Sequence, residues 1–346
     1  MIKFHNIQLR KIAVHKVGNK SLDEGLILTN SLIELGDETL TNLFLKYFLT
    51  SFSDTELFEF HNDIGVEQNE IFTVTKKIFE SPNSVLSQSK SIAQHLYSCS
   101  THPKIKSGEL YVAYFKDIII DDEVTEAIGI FKSESKDSFL KVDFDGKTSL
   151  VDYDEGTNTN KLDKGCLIFN ASNEKYRVCI VDNANKSNEA QYWKDTFLQL
   201  KPIANEFHQT NQFLGIAKNF VTKQLDEEFE VSKADKIDLL NRSVEYFKTH
   251  ETFDKKEFEQ EVFQDSGIIK SFRNFDNSYR QENEIEITDS FDISPQAVKK
   301  QARVFKSVLK LDKNFHIYIH GNREMIEQGV EKDGRKYYKI YYNEEN

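Results

Sequence analysis

Apolar residues recur along this chain with two periods, and the dominant one changes near residue 190. Ile7 and Leu9, then Ile12 and Val14, alternate with polar neighbours. The slip between the two pairs predicts a first strand carrying a bulge. Over residues 37–52 the spacing becomes helical: Leu40, Leu43, Phe44 and Tyr47 share a face, and Asp37 is placed to cap it. Pro82 opens a second helix to about residue 99, with Val85, Ile92 and Leu96 on its apolar side. A period of two then takes over. Leu110, Val112 and Tyr114 form one strand face. Val142 and Phe144 precede Asp145-Gly146, and Leu150 and Tyr153 follow it, which predicts a hairpin. Short strands at 166–169 and 178–181 complete a mainly antiparallel sheet with helices on one side.

Residues 183–188, Asn-Ala-Asn-Lys-Ser-Asn, read as a linker. Beyond them helical spacing prevails. Trp193, Phe197 and Leu200 begin a helix that Pro202 kinks or ends. Phe213, Ile216 and Phe220 continue the pattern, and Ser232 caps a helix carrying Ile237, Leu240, Val244 and Phe247. Asp254 and Glu257 have capping-box spacing. Ser294-Pro295 starts a helix expected to run to about residue 311. Phe315, Ile317 and Ile319 alternate with His316, Tyr318 and His320 as a strand. A Gly321-Asn322 turn, a short helical piece and an Asp333-Gly334 hairpin close the chain. The expected class is α+β. Residues 1–183 form a sheet domain with flanking helices, and residues 190–346 a mostly helical domain ending in a β-hairpin. A length of 346 residues accommodates two domains at about 150 residues each.

Charge restricts the functional classes. Lys and Arg total 45 against 57 Asp and Glu, a net charge of −12. Such a surface repels phosphate backbones, so a nucleic-acid function requires a local basic patch. The end of the chain supplies one. On a helix running to 311, Lys299, Arg303, Lys306 and Lys310 fall in one arc. Val298, Ala302, Phe305 and Leu309 line the adjacent, core-facing arc. Arg335, Lys336 and Lys339 then interleave with Tyr337, Tyr338, Tyr341 and Tyr342, as on a surface that tracks phosphates and stacks bases. The plain alternative is a solvated helix face beside half-buried strand tyrosines. The acidic stretch 251–292 could also neutralise the stripe from within.

Other chemistry is sparse. Cys99, Cys166 and Cys179 are too far apart for a metal knuckle and read as reduced thiols. His316 and His320 lack further ligands at metal spacing. Asp143 and Asp145 could serve a metal-dependent nuclease, but Asp145-Gly146 is explained by its turn. Phosphate-loop, nucleophile-elbow and reactive-cysteine motifs are absent, so no enzyme and no cofactor are expected. No apolar h-region follows Met1 and no apolar run approaches about 20 residues, so the expectation is a cytoplasmic chain without a membrane partner.

Several stretches resemble the bacterial 37-kDa nucleoid-associated protein family. They are residues 7–17 with His15, residues 95–115 with Lys106-Ser107-Gly108-Glu109-Leu110-Tyr111-Val112, and Tyr192-Trp193-Lys194-Asp195-Thr196-Phe197-Leu198. The ending is also similar, with Val304-Phe305-Lys306, residues 315–319 and the final hairpin. The resemblance implies association with the nucleoid, DNA binding without a catalytic residue set, and contact with chromosome-maintenance proteins such as type II topoisomerases. It carries over no site residues. Two functional expectations follow. One is a non-enzymatic DNA-binding protein with modest, salt-sensitive, weakly sequence-specific binding. The other is an acidic interaction protein that reaches the nucleoid through a partner.

Overall fold

The computed structural model describes residues 2–52, 56–171, 176–184, 192–302, 305, 308–311, 315–319 and 325–344. The chain divides into two compact units, Met1–Ile203 and Ala204–Asn346.

The first unit contains β1 (Ile2–Lys3), β2 (Gln8–Val17), β3 (Leu26–Ile27), α1 (Glu38–Leu49), β4 (Leu57–Phe60), α2 (Glu70–Glu80) and α3 (Val85–Cys99). There follow β5 (Gly108–Ile120), β6 (Glu123–Ser133), β7 (Asp137–Asp145), β8 (Thr148–Gly156), β9 (Lys164–Phe169), β10 (Arg177–Asp182) and β11 (Leu200–Pro202). Nine of these strands form one antiparallel sheet in the order β11–β4–β10–β9–β6–β5–β2–β3, with β1 also paired to β5. The expected bulge is present: the register of β2 on β5 shifts between Leu9 and Lys11. β7 and β8 form a separate exposed hairpin, turned by Gly146 at φ 63 after Asp145.

Helices cover both faces of the sheet, not one. On one face Val112, Ile130 and Ile168 pack with Ile71 of α2 and Ile92 and Leu96 of α3. On the other, Phe115, Phe131 and Leu167 pack with α1, whose Phe48 stacks on Phe131 at 4.2 Å. The central strands explain this. β9 is buried at every residue, and β6 is buried continuously from Ala127 to Ser133. Strands apolar on both sides need cover on both sides.

The helix starts follow the local chemistry. Asp37 accepts from the Leu40 amide at 3.1 Å and Asn69 from the Phe72 amide at 2.9 Å. Each such cap contributes about 1 kcal/mol.

Trp193–Leu198 forms a π-type turn, ended by Gln199 at φ 50, and runs straight into β11. The helix expected to start at Trp193 is therefore present as this turn, but it stops before Leu200, ahead of Pro202. Trp193, Phe197, Leu198 and Leu200 bury in the first unit's core, and the indole donates to the Gly165 carbonyl at 3.3 Å. The unit boundary lies at Ile203–Ala204, not in the polar run at 183–188, of which residues 185–188 lie outside the described residues.

The second unit comprises α4 (Glu206–Asn219), α5 (Leu225–Glu228), α6 (Lys233–Thr249), β12 (Thr252–Asp254), α7 (Lys255–Phe258) and α8 (Ser266–Glu282). It ends with β13 (Ser290–Asp292), α9 (Pro295–Ala302), β14 (Val308–Leu311), β15 (Phe315–Tyr318), β16 (Ile326–Val330) and β17 (Lys336–Ile340). Its core is aromatic: Phe213 lies 4.2 Å from Phe253 and 5.1 Å from Phe258. Ser232 and Asp235 form a reciprocal capping box at the start of α6. The box expected at Asp254 and Glu257 is half made. Asp254 accepts from the Glu257 amide, but the Glu257 carboxylate accepts from the Tyr246 hydroxyl at 2.9 Å. Asp276 is fully buried between Lys255 at 2.5 Å and Arg280 at 2.6 Å. Among the described residues no helix is long and apolar enough to cross a membrane.

His15 on β2 is 1% exposed. Its Nδ1 accepts from the Thr29 amide at 3.1 Å. Its Nε2 donates to Ser89 Oγ at 2.8 Å, whose own proton goes to the Leu86 carbonyl. This arrangement requires the neutral ring. Burial, and then the Lys90 charge, push its pKa below the ordinary 6.5. The unfolded chain therefore binds this proton more readily. The stabilisation is complete above about pH 6.5 and is lost as pH falls through that value towards the lower folded one. Glutamine can make both hydrogen bonds and does not titrate. Urea unfolding from about pH 8 to about pH 5 should show wild type losing stability more steeply than His15→Gln; parallel profiles contradict the assignment.

Candidate nucleic-acid interface

The predicted cations divide among three local structures. The first is α9. Ser294 Oγ accepts from the Ala297 amide at 3.4 Å, and Pro295 occupies the first helical position, where its missing N–H costs nothing. Ser294 is itself tied to α4, its amide donating to Thr210 Oγ1 at 3.0 Å. Ala297 and Val298 are buried, which turns Lys299 and Lys300 outward. The Lys300 ammonium lies 5.4 Å from the centre of the Phe207 ring.

The helix does not continue to residue 311. Its described part reaches Ala302, and Val308–Leu311 is a strand paired antiparallel with Phe315–Tyr318. Lys310 stands opposite His316 in that ladder, so Lys299 and Lys310 do not share a helical arc. Arg303 and Lys306 lie outside the described residues. The physical reason for the strand is tertiary. Leu309, 1% exposed, joins Ala234, Ile237, Ile319 and Ile326 in a small core, with Leu311 and Ile317 packed against it. Two leucines at a spacing of two fit a pleated partner, and that packing outweighs a modest helix propensity. Of the four residues expected on one core-facing arc, Val298 and Phe305 are buried in the aromatic core with Ala302 half-buried against it, while Leu309 is buried from the strand in the small core.

The third structure is the final hairpin. β16 pairs with β17 around Asp333-Gly334, with Gly334 at φ 85. Met325, just before β16, is helical, and the rest of the short helical piece expected after Asn322 falls outside the described residues. The Gly321-Asn322 turn and His320 lie outside the described residues. Lys336 and Lys339 point to opposite faces, three positions apart on one strand. Tyr338 packs against the small core. Tyr337 lies across Gly329, where an added Cβ would come within 2.4 Å of its ring.

Not all these cations are free. Lys339 pairs with Glu327 at 3.3 Å, and Tyr341 donates to the same carboxylate at 2.8 Å. The tyrosine hydroxyl first, then the lysine, hold the Glu327 carboxyl below its usual range, and Glu327 in turn raises the Lys339 ammonium. Arg335 is 81% exposed, but its Nε donates to Asp333 at 2.7 Å. Lys299, Lys300 and Lys336 are exposed and, among the described residues, unpaired with any carboxylate. Lys300 was missed by sequence reasoning because it lies off the chosen arc; the buried pair Ala297-Val298 is the signal that places it outside.

Asp143 and Asp145 are exposed on the β7–β8 hairpin. Among the described residues they belong to no group of three or more metal-ligating side chains.

A family model described as nucleoid-associated protein YejK matches residues 13–335. The chain belongs to this nucleoid-associated family. The match runs through both compact units and across α9, β14–β15 and β16, and stops just before β17. Family membership thus bears out the resemblance read from the sequence. No curated protein matches the chain.

The strand assignment at 308–311 is open to direct measurement. Nuclear Overhauser contacts between the backbones of Leu309 and Ile317 are expected, with strand-type Cα shifts over 308–311. Helical shifts continuing from Ala302 to Leu311 contradict it and restore a single four-cation stripe.

Proposed function

We propose that this chain is a non-enzymatic, DNA-binding protein of the bacterial nucleoid, in the cytoplasm. Its phosphate contacts come from the end of its second unit. The family match over nearly the whole chain carries the reading. The exposed cations Lys299, Lys300 and Lys336, unpaired with any carboxylate among the described residues, supply its physical means. Arg303, Lys306 and Lys310 add to them. Arg335 and Lys339 contribute less, because each must first leave a carboxylate, Asp333 or Glu327.

The division of the cations between α9, β14 and the hairpin favours backbone tracking over base readout. A recognition helix inserts one continuous face into the major groove, whereas here the helix of α9 has given way to a strand by Val308. Affinity is modest, because the rest of a chain of net charge −12 repels the duplex. Each neutralised phosphate contributes about −0.9 to the slope of log K against log salt. With four to seven contacts the slope is roughly −4 to −6.

The test is a mobility-shift titration across a salt series. Wild type is compared with a variant carrying Lys299→Glu, Arg303→Glu, Lys306→Glu and Lys310→Glu, and with Lys336→Glu alone. The fourfold variant should lose most affinity, and Lys336→Glu should reduce the salt slope by about 1. Equal binding by wild type and the fourfold variant contradicts the site. Failure of wild type to bind at low salt contradicts direct binding and favours recruitment through a protein partner such as a type II topoisomerase. Added Mg²⁺ or Mn²⁺ in the same assay reports any cleavage, which the proposal excludes.

A further inference from the structure

A second chemistry lies in the second unit, on residues other than the cations discussed above. His250 closes α6 in extended conformation, at φ −106 and ψ 145. Glu257 belongs to α7, and Glu261 lies one turn further along in the π-type turn Glu259–Phe263. One ligand atom from each of the three lies within 4.8 Å of the others.

The hydrogen bonds fix how the histidine presents itself. His250 Nδ1 is 2.9 Å from the Tyr246 carbonyl oxygen and 3.1 Å from Thr249 Oγ1. A carbonyl only accepts, so Nδ1 carries the proton. The Thr249 hydroxyl proton is directed at the Glu245 carbonyl, which leaves its oxygen free to accept as well. In the neutral ring Nε2 is therefore a bare lone pair, and it faces Glu261 Oε1 at 3.8 Å. That separation is too long for a hydrogen bond even from a protonated ring. The imidazole is further held by stacking on Tyr246 at 4.1 Å. The same tyrosine donates its hydroxyl to Glu257 at 2.9 Å, fixing the second carboxylate. Among the described residues neither glutamate pairs with Lys or Arg.

The Nε2 lone pair and two carboxylates converge on one space, where a cation, whether a proton on the ring or a metal ion, relieves their mutual repulsion. The geometry points to a binding site for a divalent transition-metal ion, Zn²⁺ by donor type, held by His250, Glu257 and Glu261. One imidazole and two carboxylates form a three-ligand set that leaves a coordination position for water. Zn–N and Zn–O bonds of about 2.0–2.2 Å place tetrahedral donors about 3.4 Å apart, and the exposed glutamates need only small rotations to reach that spacing. The outer shell is already present. The ligating histidine donates its other N–H to a carbonyl, and a ligating carboxylate accepts from Tyr246, the arrangement that orients metal ligands. Bound metal would pin the end of α6 to the segment 255–263. The inference does not depend on DNA binding.

The test uses the full chain, stripped with chelator and titrated with ZnCl₂ by calorimetry, with bound metal counted by mass spectrometry. One Zn²⁺ per chain is expected. Glu261→Gln and His250→Gln should each lower affinity by at least about tenfold, and Tyr246→Phe by about tenfold, by loss of the outer-shell bond. Circular dichroism confirms that each variant is folded; Glu261 is 51% exposed, so its variant isolates ligation from folding. Cobalt substitution provides an independent readout: weak visible bands without sulfur charge transfer are expected. No binding by wild type, equal binding by wild type and Glu261→Gln, or a thiolate band indicating Cys99 each overturn the proposal.

Discussion

Lys132 and Lys164 stand side by side on paired strands of the first unit's sheet, both fully buried. Burial pulls the Lys132 ammonium down, and Glu134 at 3.0 Å opposes that pull. Asp182 meets Lys164 at 2.7 Å. The Tyr192 ring lies 6.0 Å from one ammonium and 5.5 Å from the other. Two cations tolerate this proximity only with carboxylates and an aromatic face around them. The second unit repeats the device around buried Asp276, which holds Lys255 and Arg280, and around Glu259, which holds Arg273. Part of the chain's basic charge is thus committed to its own carboxylates.

That commitment shapes the functional reading. An acidic chain that pairs part of its basic charge with its own carboxylates leaves only the remaining cations to a polyanion. Lys299, Lys300 and Lys336 are exposed and unpaired among the described residues, on α9 and on the hairpin arm β17. Arg335 and Lys339 are held by neighbours, so their contribution depends on competition between a carboxylate and a phosphate. The acidic stretch 251–292 acts mostly within its own unit: Asp276 and Glu259 bind cations of that same stretch.

Features controlled by near neighbours were legible in the sequence. The Asp37 cap, the Ser294-Pro295 start, the bulge in β2 and both Asp-Gly hairpins follow from side chains acting within a few residues. Features controlled by distant partners were not. The sequence 308–311, Val-Leu-Lys-Leu, satisfies a helical arc and a strand alternation equally, and the partner strand Phe315–Tyr318 decides between them. Trp193 reads as the start of a helical half, yet it buries in the first unit because its indole and ring fit there. The cover on both sheet faces was hidden in the runs Ile128–Phe131 and Cys166–Phe169, whose continuous apolarity outweighs any alternation. His250, Glu257 and Glu261 were missed because their convergence depends on the turn that folds α7 back against the end of α6.

The proposed contact with nucleic acid resides in residues 294–342 of the second unit. Photo-crosslinking to a bromodeoxyuridine-substituted duplex, followed by mass-spectrometric mapping of the adducts, addresses it most directly. Adducts are expected on peptides from residues 294–342. Adducts confined to residues before 204, with none in the final segment, contradict the account.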